Sequence, residues 1–365
     1  MQTHNAINER IKRKYLVYLK QARSQSEPSI DAVAKALARF EVFNKYRDFK
    51  AFHFEQAVAF KTHLSNQDSK MTGEKLSKAT LHSTLSYLKR FFQWLYGQPG
   101  FKSRFQYSDA DYFNQSDKDT RIATARREKL YPTLEQVKQV IAKMPHETEL
   151  ELRNRALVAF TLLTGARDSA IASMKLKHVD LEAGKVIQDA REVKTKFSKT
   201  FTTFFFPVGD EIRQIVGDWV KYLRLVKLWG IDDPLFPAAE VIRGASLHFE
   251  VNGLKREHWN HASPIRTIFR EAFTVANLPY FNPHSFRNTL VRLGETMCQT
   301  PEAFKAWSQN LGHEKVLTTF FSYGVVDTRR QGEIIQNLTK PQIGERPEVT
   351  ELVRSVLREM GVKGG

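Results

Sequence analysis

A chain of 365 residues with 41% apolar residues can build two ordinary domains, and no stretch approaches the roughly 18 uninterrupted apolar residues of a membrane span. The single cysteine, Cys298, excludes an internal disulfide and a cysteine-based metal framework, and the opening MQTHNAINERIKRKYL lacks the apolar core of a secretory signal, so the reducing cytoplasm is the expected compartment. The formal net charge of +16 is uneven: residues 1–105 hold 19 Lys and Arg against 8 Asp and Glu, a net of +11, which points to a polyanionic partner, nucleic acid above all.

The first 105 residues predict a helical domain. Ile7, Ile11, Tyr15 and Tyr18 share one helical face, and Ile30, Val33, Leu37 and Phe40 form a second stripe with Pro28 in its first turn. A third helix is expected from about Phe54 to Leu64. In the fourth, Ser77 can cap a run in which Leu81, Leu85, Leu88, Phe92 and Leu95 recur at helical spacing, and Gly97, Pro99 and Gly100 end it. Lys78, His82, Lys89 and Arg90 lie off that stripe; they are candidate phosphate contacts or members of a solvated basic face. Between 106 and 132 the apolar periodicity lapses, as expected of an interdomain linker.

A second domain is expected over 133–340. Thr133 and Gln136 have the spacing of a capping box, and a helix over roughly Leu152–Leu163 runs into Thr164-Gly165-Ala166-Arg167. Lys185–Val193 and Phe201–Val208 are rich in β-branched and aromatic residues and flank the polar KTKFSK, the pattern of a hairpin. After Gly209 the pattern is mainly helical, broken at DDPLFP and over 246–263. The expected class is therefore mainly α with one small β-sheet. In the remaining tail, 341–365, Val349, Leu352, Val356 and Met360 repeat at helical spacing, which suits docking onto a neighbouring subunit or packing on its own domain.

Five features carry chemistry: Arg167; His284 and Arg287 in His-Ser-Phe-Arg; His313 in Leu-Gly-His; Tyr323, ten residues later; and Lys194, Lys196 and Lys199 in the hairpin turn. Two guanidinium groups can clamp the non-bridging oxygens of a phosphodiester and stabilise the added charge of its pentavalent transition state. A tyrosine hydroxyl can attack phosphorus and become covalently attached. Histidines can take the phenolic proton or bind a phosphate oxygen, and a lysine can protonate the departing sugar oxygen. Such a set requires no metal or other cofactor. Singly, each residue also has a structural reading: Arg167 as a helix-end ion pair, His284 as a helix cap, Arg287 paired with an acid one turn away, His313 as part of a C-terminal cap, and Tyr323 as core.

In their order, LLTGAR, PHSFR and LGHEKVLTTFFSYG resemble the motifs of the tyrosine recombinases, or phage integrase family, and the resemblance covers nearly the whole chain. It implies an N-terminal helical core-binding domain followed by an α/β catalytic domain. The implied activity is site-specific DNA recombination: cutting and rejoining double-stranded DNA through a 3′-phosphotyrosine, by a homo-tetramer on paired sites, in the cytoplasm and at the nucleoid. Arg167 and Arg287 resemble the phosphate-binding pair, His284 the proton-transfer histidine, His313 the histidine that bonds the scissile phosphate, and Tyr323 the nucleophile. Thr195-Lys196 followed by Lys199 resembles the family's T-K-x-x-K turn, which favours Lys196 as general acid, with Lys194 and Lys199 remaining open. Two positions depart from the pattern. Ala170 stands where the family usually has an acid, with Asp168 nearby, and Tyr323 lies one residue farther from His313 than in many relatives, with Ser322 at the usual spacing. A type IB topoisomerase, a telomere resolvase, or a non-catalytic DNA-binding protein on the same scaffold are the competing readings; retention of all six catalytic residues favours an enzyme.

Overall fold

A computed structural model describes residues 4–69, 73–125, 130–243 and 249–313. Tyr323 and the tail helix expected over 347–360 lie outside the described residues. The chain divides into two compact units, Met1–Arg126 and Arg127–Gly365.

The first unit is built from α1 (Ala6–Gln21), α2 (Glu27–Phe43), α3 (Phe54–Ser65), α4 (Lys78–Tyr96) and α5 (Asp117–Thr124). Ser77 caps α4 by accepting the Thr80 amide at 3.2 Å, and Leu81, Leu85, Leu88, Phe92 and Leu95 are all buried, as the spacing predicts. Aromatic rings fill the core: Phe40 meets Phe60, Phe92 and Phe113 edge-on at centroid distances of 5.2, 5.4 and 5.8 Å, and Phe52 stacks on Phe92 at 3.8 Å. Along α1 the buried face is displaced from the expected one. Tyr15 and Leu19 are buried, Ile11 and Tyr18 pack partly, and Ile7 is exposed.

The segment expected to be a linker is folded onto this unit. A 3-10 turn over Tyr107–Phe113 buries Ala110 and Phe113, and α5 follows it against α4. Polar ties add to these anchors. Lys78 Nζ meets Asp119 at 2.7 Å, Lys89 Nζ meets Asp111 at 2.8 Å and Asn114 at 3.0 Å, and His82 Nδ1 lies 3.2 Å from the Gln115 side-chain oxygen. Two apolar anchors leave no periodic stripe, which is why the sequence reads as a linker there.

In the second unit α6 (Leu134–Lys143) opens on a formed capping box between Thr133 and Gln136, and α7 (Glu149–Thr164) on another between Thr148 and Glu151. After α8 (Asp168–Ile171) a three-stranded antiparallel sheet runs in the order β1 (Val179–Asp180), β2 (Lys185–Gln188), β3 (Phe201–Phe204). The β2–β3 register sets Lys185 opposite Phe204 and Gln188 opposite Phe201. The strands are shorter than expected, so residues 189–200 form a long loop that includes a 3-10 turn over Lys196–Ser198. Helix α9 (Asp210–Lys221) continues into a π-turn over Tyr222–Val226.

After Gly209, where a mainly helical pattern with breaks was expected, a second sheet forms: β4 (Ala238–Arg243) pairs antiparallel with β5 (Phe249–Lys255). Val241 is 55% exposed, while Leu254 of β5 is buried in the core of this unit and Ala238 packs against it. Helices α10 (Ser263–Val275), α11 (Ser285–Met297) and α12 (Pro301–Asn310) complete the described part, around a core that includes Leu157, Phe160, Phe236, Phe269, Phe273, Phe286 and Leu290.

Candidate active site

The site is assembled where three helix ends and the long β2–β3 loop approach one another. Helix α7 stops at Gly165, whose φ of +60° is left-handed; a Cβ there would come within 2.9 Å of Leu311 and 3.0 Å of Leu290. The stop turns the chain so that Arg167 follows at the N-terminal boundary of α8, and it aims the Gly165 carbonyl at Arg287.

Arg287 sits in the first turn of α11 and is 4% exposed. Its Nη1 donates to the Gly165 carbonyl at 2.6 Å, and its Nη2 donates to the Leu311 carbonyl and reaches His313 Nε2 at 3.0 Å. Among the described residues, no carboxylate pairs with Arg287 or Arg167. Burial and the neighbouring charge of Arg167 hold the Arg287 pKa below its ordinary value, and burial does the same to Arg167. Both still carry full charge at neutral pH.

His313 follows Gly312, whose φ is +69°, at the end of the turn after α12. Burial, then the charges of Arg287, Arg167, His284 and Lys196, push its pKa down to about 3. The ring is therefore neutral at neutral pH, and since Nε2 faces a guanidinium donor, its proton belongs on Nδ1. Four of the residues singled out in the sequence, Arg287, Arg167, His284 and Lys196, thus act electrostatically on His313. His284 is exposed at the N-cap position of α11 but its side chain makes no capping bond, so it is not a helix cap.

Within the turn, the lysines differ. Lys194 is drawn back: its amide donates to Ser173 Oγ at 2.8 Å and its Nζ reaches the Asn260 carbonyl at 3.5 Å. Lys196 is exposed at the start of the 3-10 turn, and Lys199 is half-buried beyond it. Asp168, the acid nearest Arg167, turns to Arg266 of α10, accepting from its Nε at 3.0 Å and its Nη2 at 2.8 Å. Ala170 is buried. Sequence reasoning missed Arg266, which lies 98 residues from Asp168, and the two carbonyls that hold Arg287, because neither leaves a local pattern.

In the first unit, Lys78, His82 and Lys89 all have partners in the 107–124 segment, as described above. Arg90 is exposed.

The sequence profile of the phage integrase family matches residues 132–328, more than half of the chain. The chain belongs to the phage integrase family. Its match runs through all the residues singled out above in the second unit, including Tyr323. The chain is also 25% identical over 317 residues to tyrosine recombinase XerC of Lactobacillus delbrueckii subsp. bulgaricus, covering 85% of this chain and 92% of that protein, and equally to XerC of Lactobacillus leichmannii. Among solved structures it is similar to a lambda integrase dimer bound to a COC′ core site, with a TM-score of 0.59 at 12% identity over 88% of this chain and 98% of that one. A Tn1549 transposon integrase in complex with circular intermediate DNA gives a TM-score of 0.54 at 16% identity over 90% and 99% of the two chains. This family member is a site-specific DNA recombinase, an enzyme of the class that works through a phosphotyrosine intermediate. Among the described residues no helix is long and apolar enough to cross a membrane.

Proposed function

We propose that Arg167, Lys196, His284, Arg287, His313 and Tyr323 carry out strand cleavage and rejoining on double-stranded DNA. The observation that carries this reading is the placement of His313 against Arg287 at 3.0 Å, under the combined charges of Arg287, Arg167, His284 and Lys196. One neutral imidazole amid that much positive charge is an arrangement suited to an anionic phosphate.

The Tyr323 oxygen attacks the scissile phosphorus and its proton passes to His284. The bond from phosphorus to the 5′-oxygen breaks, and Lys196 supplies the proton that oxygen needs to leave as a hydroxyl. Arg167 and Arg287 take the charge of the pentavalent state on the non-bridging oxygens, and His313 donates a hydrogen bond to one of them. Rejoining is the reverse, with a 5′-hydroxyl attacking the 3′-phosphotyrosine. Lys196 is favoured over Lys194 because its charge acts on His313 while Lys194 is drawn toward Asn260.

Strand exchange between two sites calls for a homo-tetramer on paired DNA, acting in the cytoplasm at the nucleoid. The similarity to XerC favours recombination over the relaxation of a type IB topoisomerase. The test is a nicked suicide substrate run on a denaturing gel. Wild type should form a covalent protein–DNA band, and Tyr323→Phe should form none while still shifting the same DNA on a native gel. A surviving covalent band would reassign the nucleophile.

A further inference from the structure

The last residue of α12, Asn310, is joined to the strand that leads out of the lysine loop. Its side-chain oxygen accepts the Phe204 amide at 2.7 Å and its side-chain NH2 donates to the Phe204 carbonyl at 2.9 Å. Because β3 is an edge strand, these two backbone groups face away from β2, and the asparagine amide pairs with them as a further strand would. The Asn310 carbonyl also accepts from Thr203 Oγ1 at 3.1 Å, and that buried hydroxyl accepts from Gln188 Nε2 of β2 at 3.1 Å. Two residues on, Gly312 packs so closely against Phe201 that a Cβ would lie 2.8 Å from the ring.

These contacts fix the stem of the Lys196 loop to the turn that presents His313 and the Leu311 carbonyl holding Arg287. A loop of this length has many conformations, and only its stem is paired in the sheet. We propose that Asn310 is a positioning residue for Lys196: it holds β3 in place so that the ammonium is delivered to the 5′-oxygen. The proposal rests on the assignment of Lys196 as general acid. Asn310 touches no reacting atom and acts only through the strand.

A merely structural brace would slow cleavage of every substrate alike. The test therefore compares single-turnover cleavage of ordinary DNA with cleavage of DNA whose bridging 5′-oxygen is replaced by sulfur, a leaving group that needs no protonation. Asn310→Leu removes the amide at similar volume. Asn310→Asp keeps the acceptor but loses the donor and sets a carboxylate against the Phe204 carbonyl. On ordinary DNA, each variant should be slower by about 10-fold, the scale for a group that orients a catalytic one. On the sulfur substrate each should return to within about threefold of wild type, following Lys196→Ala. The readout is the ratio of the two rates on one sample, so a partly unfolded variant leaves it unchanged. An equal loss on both substrates, or no loss on ordinary DNA, would overturn the role of Asn310. Failure of sulfur to rescue Lys196→Ala would overturn the lysine assignment itself, and the proposal with it.

Discussion

The carboxylate of Asp168 faces Arg266, and among the described residues no acid pairs with Arg167, its neighbour in sequence. Both Nε and Nη2 of Arg266 reach it, at 3.0 and 2.8 Å, and the Asp168 carboxylate also accepts the Ser169 amide at 2.9 Å. With Ala170 at the usual acidic position, Arg167 is placed by the backbone that carries it: the left-handed stop at Gly165 and the short helix α8.

It follows that Asp168→Asn should change cleavage by less than about threefold, whereas Arg167→Ala should lose about 10²- to 10³-fold, the scale for removing one group that stabilises transition-state charge. The Arg266 pair is more than half exposed on the arginine side and should contribute at most about 1 kcal/mol to stability. Single-turnover cleavage and thermal melting check both statements. An Asp168→Asn loss as deep as that of Arg167→Ala would show that the acid supports the arginine directly.

His313 gives a pH prediction. Its pKa is lowered from the ordinary 6.5 to about 3 in the folded protein, so between those values the unfolded chain binds the extra proton. Unfolding free energy then rises with pH across that window, and this contribution to stability is lost as pH falls from about 6.5 toward 3. His178 and His258 are lowered too, chiefly by burial, and act in the same direction. His313→Gln should therefore lose less stability than wild type between pH 6.5 and 5, measured by urea denaturation at each pH. An NMR titration should find the His313 ring neutral throughout that range in the protein alone, and nearer to protonation when phosphate-bearing DNA is bound.

On the first unit, Arg90 should contribute more to the salt dependence of DNA binding than Lys78 or Lys89. Arg90 is exposed, while the two lysines are engaged with Asp119 and Asp111. Each phosphate neutralised contributes about −0.9 to the slope of log affinity against log salt, so Arg90→Ala should shallow that slope by about one. Lys78→Ala and Lys89→Ala should change it by about half of that or less. Fluorescence anisotropy across a salt series measures it, and the reverse order would show that the acids release their lysines to DNA.

Cleavage should proceed undiminished in excess EDTA, because Arg167, Arg287 and Lys196 supply the positive charge that other nucleases draw from a divalent ion. Loss of the covalent complex on chelation, with recovery on adding Mg²⁺, would rule out the clamp as described.

Much of this organisation is legible in the sequence because burial and periodicity coincide. In α4 one leucine–phenylalanine stripe points inward from a serine cap, and in α6 the capping-box residues themselves announce the start. The candidate site stands out for a different reason: arginine, histidine and tyrosine in this order suit phosphate chemistry, and in the second unit Arg167, His284, Arg287 and Lys196 all act on His313. Two kinds of structure escaped. Residues 107–124 are anchored by Ala110 and Phe113 alone among their apolar side chains, too few to set a period, and the β4–β5 ribbon falls in a stretch with no clear alternation. The contacts of Asp168 with Arg266 and of Asn310 with Phe204 join residues 98 and 106 positions apart, and nothing local marks either partner.

Arg287 is held by two uncharged carbonyl oxygens, and among the described residues no carboxylate cancels its formal charge. Arg167 adds a second such charge beside it. Two like charges enclosed together repel, and that repulsion weakens the folded state until an oxyanion relieves it. Simple tetrahedral anions such as sulfate or inorganic phosphate should therefore raise the melting temperature of this enzyme in proportion to the logarithm of their concentration once the site is largely filled. The same strain that tightens the grip on a scissile phosphate makes the protein least robust in low-salt, anion-poor buffer.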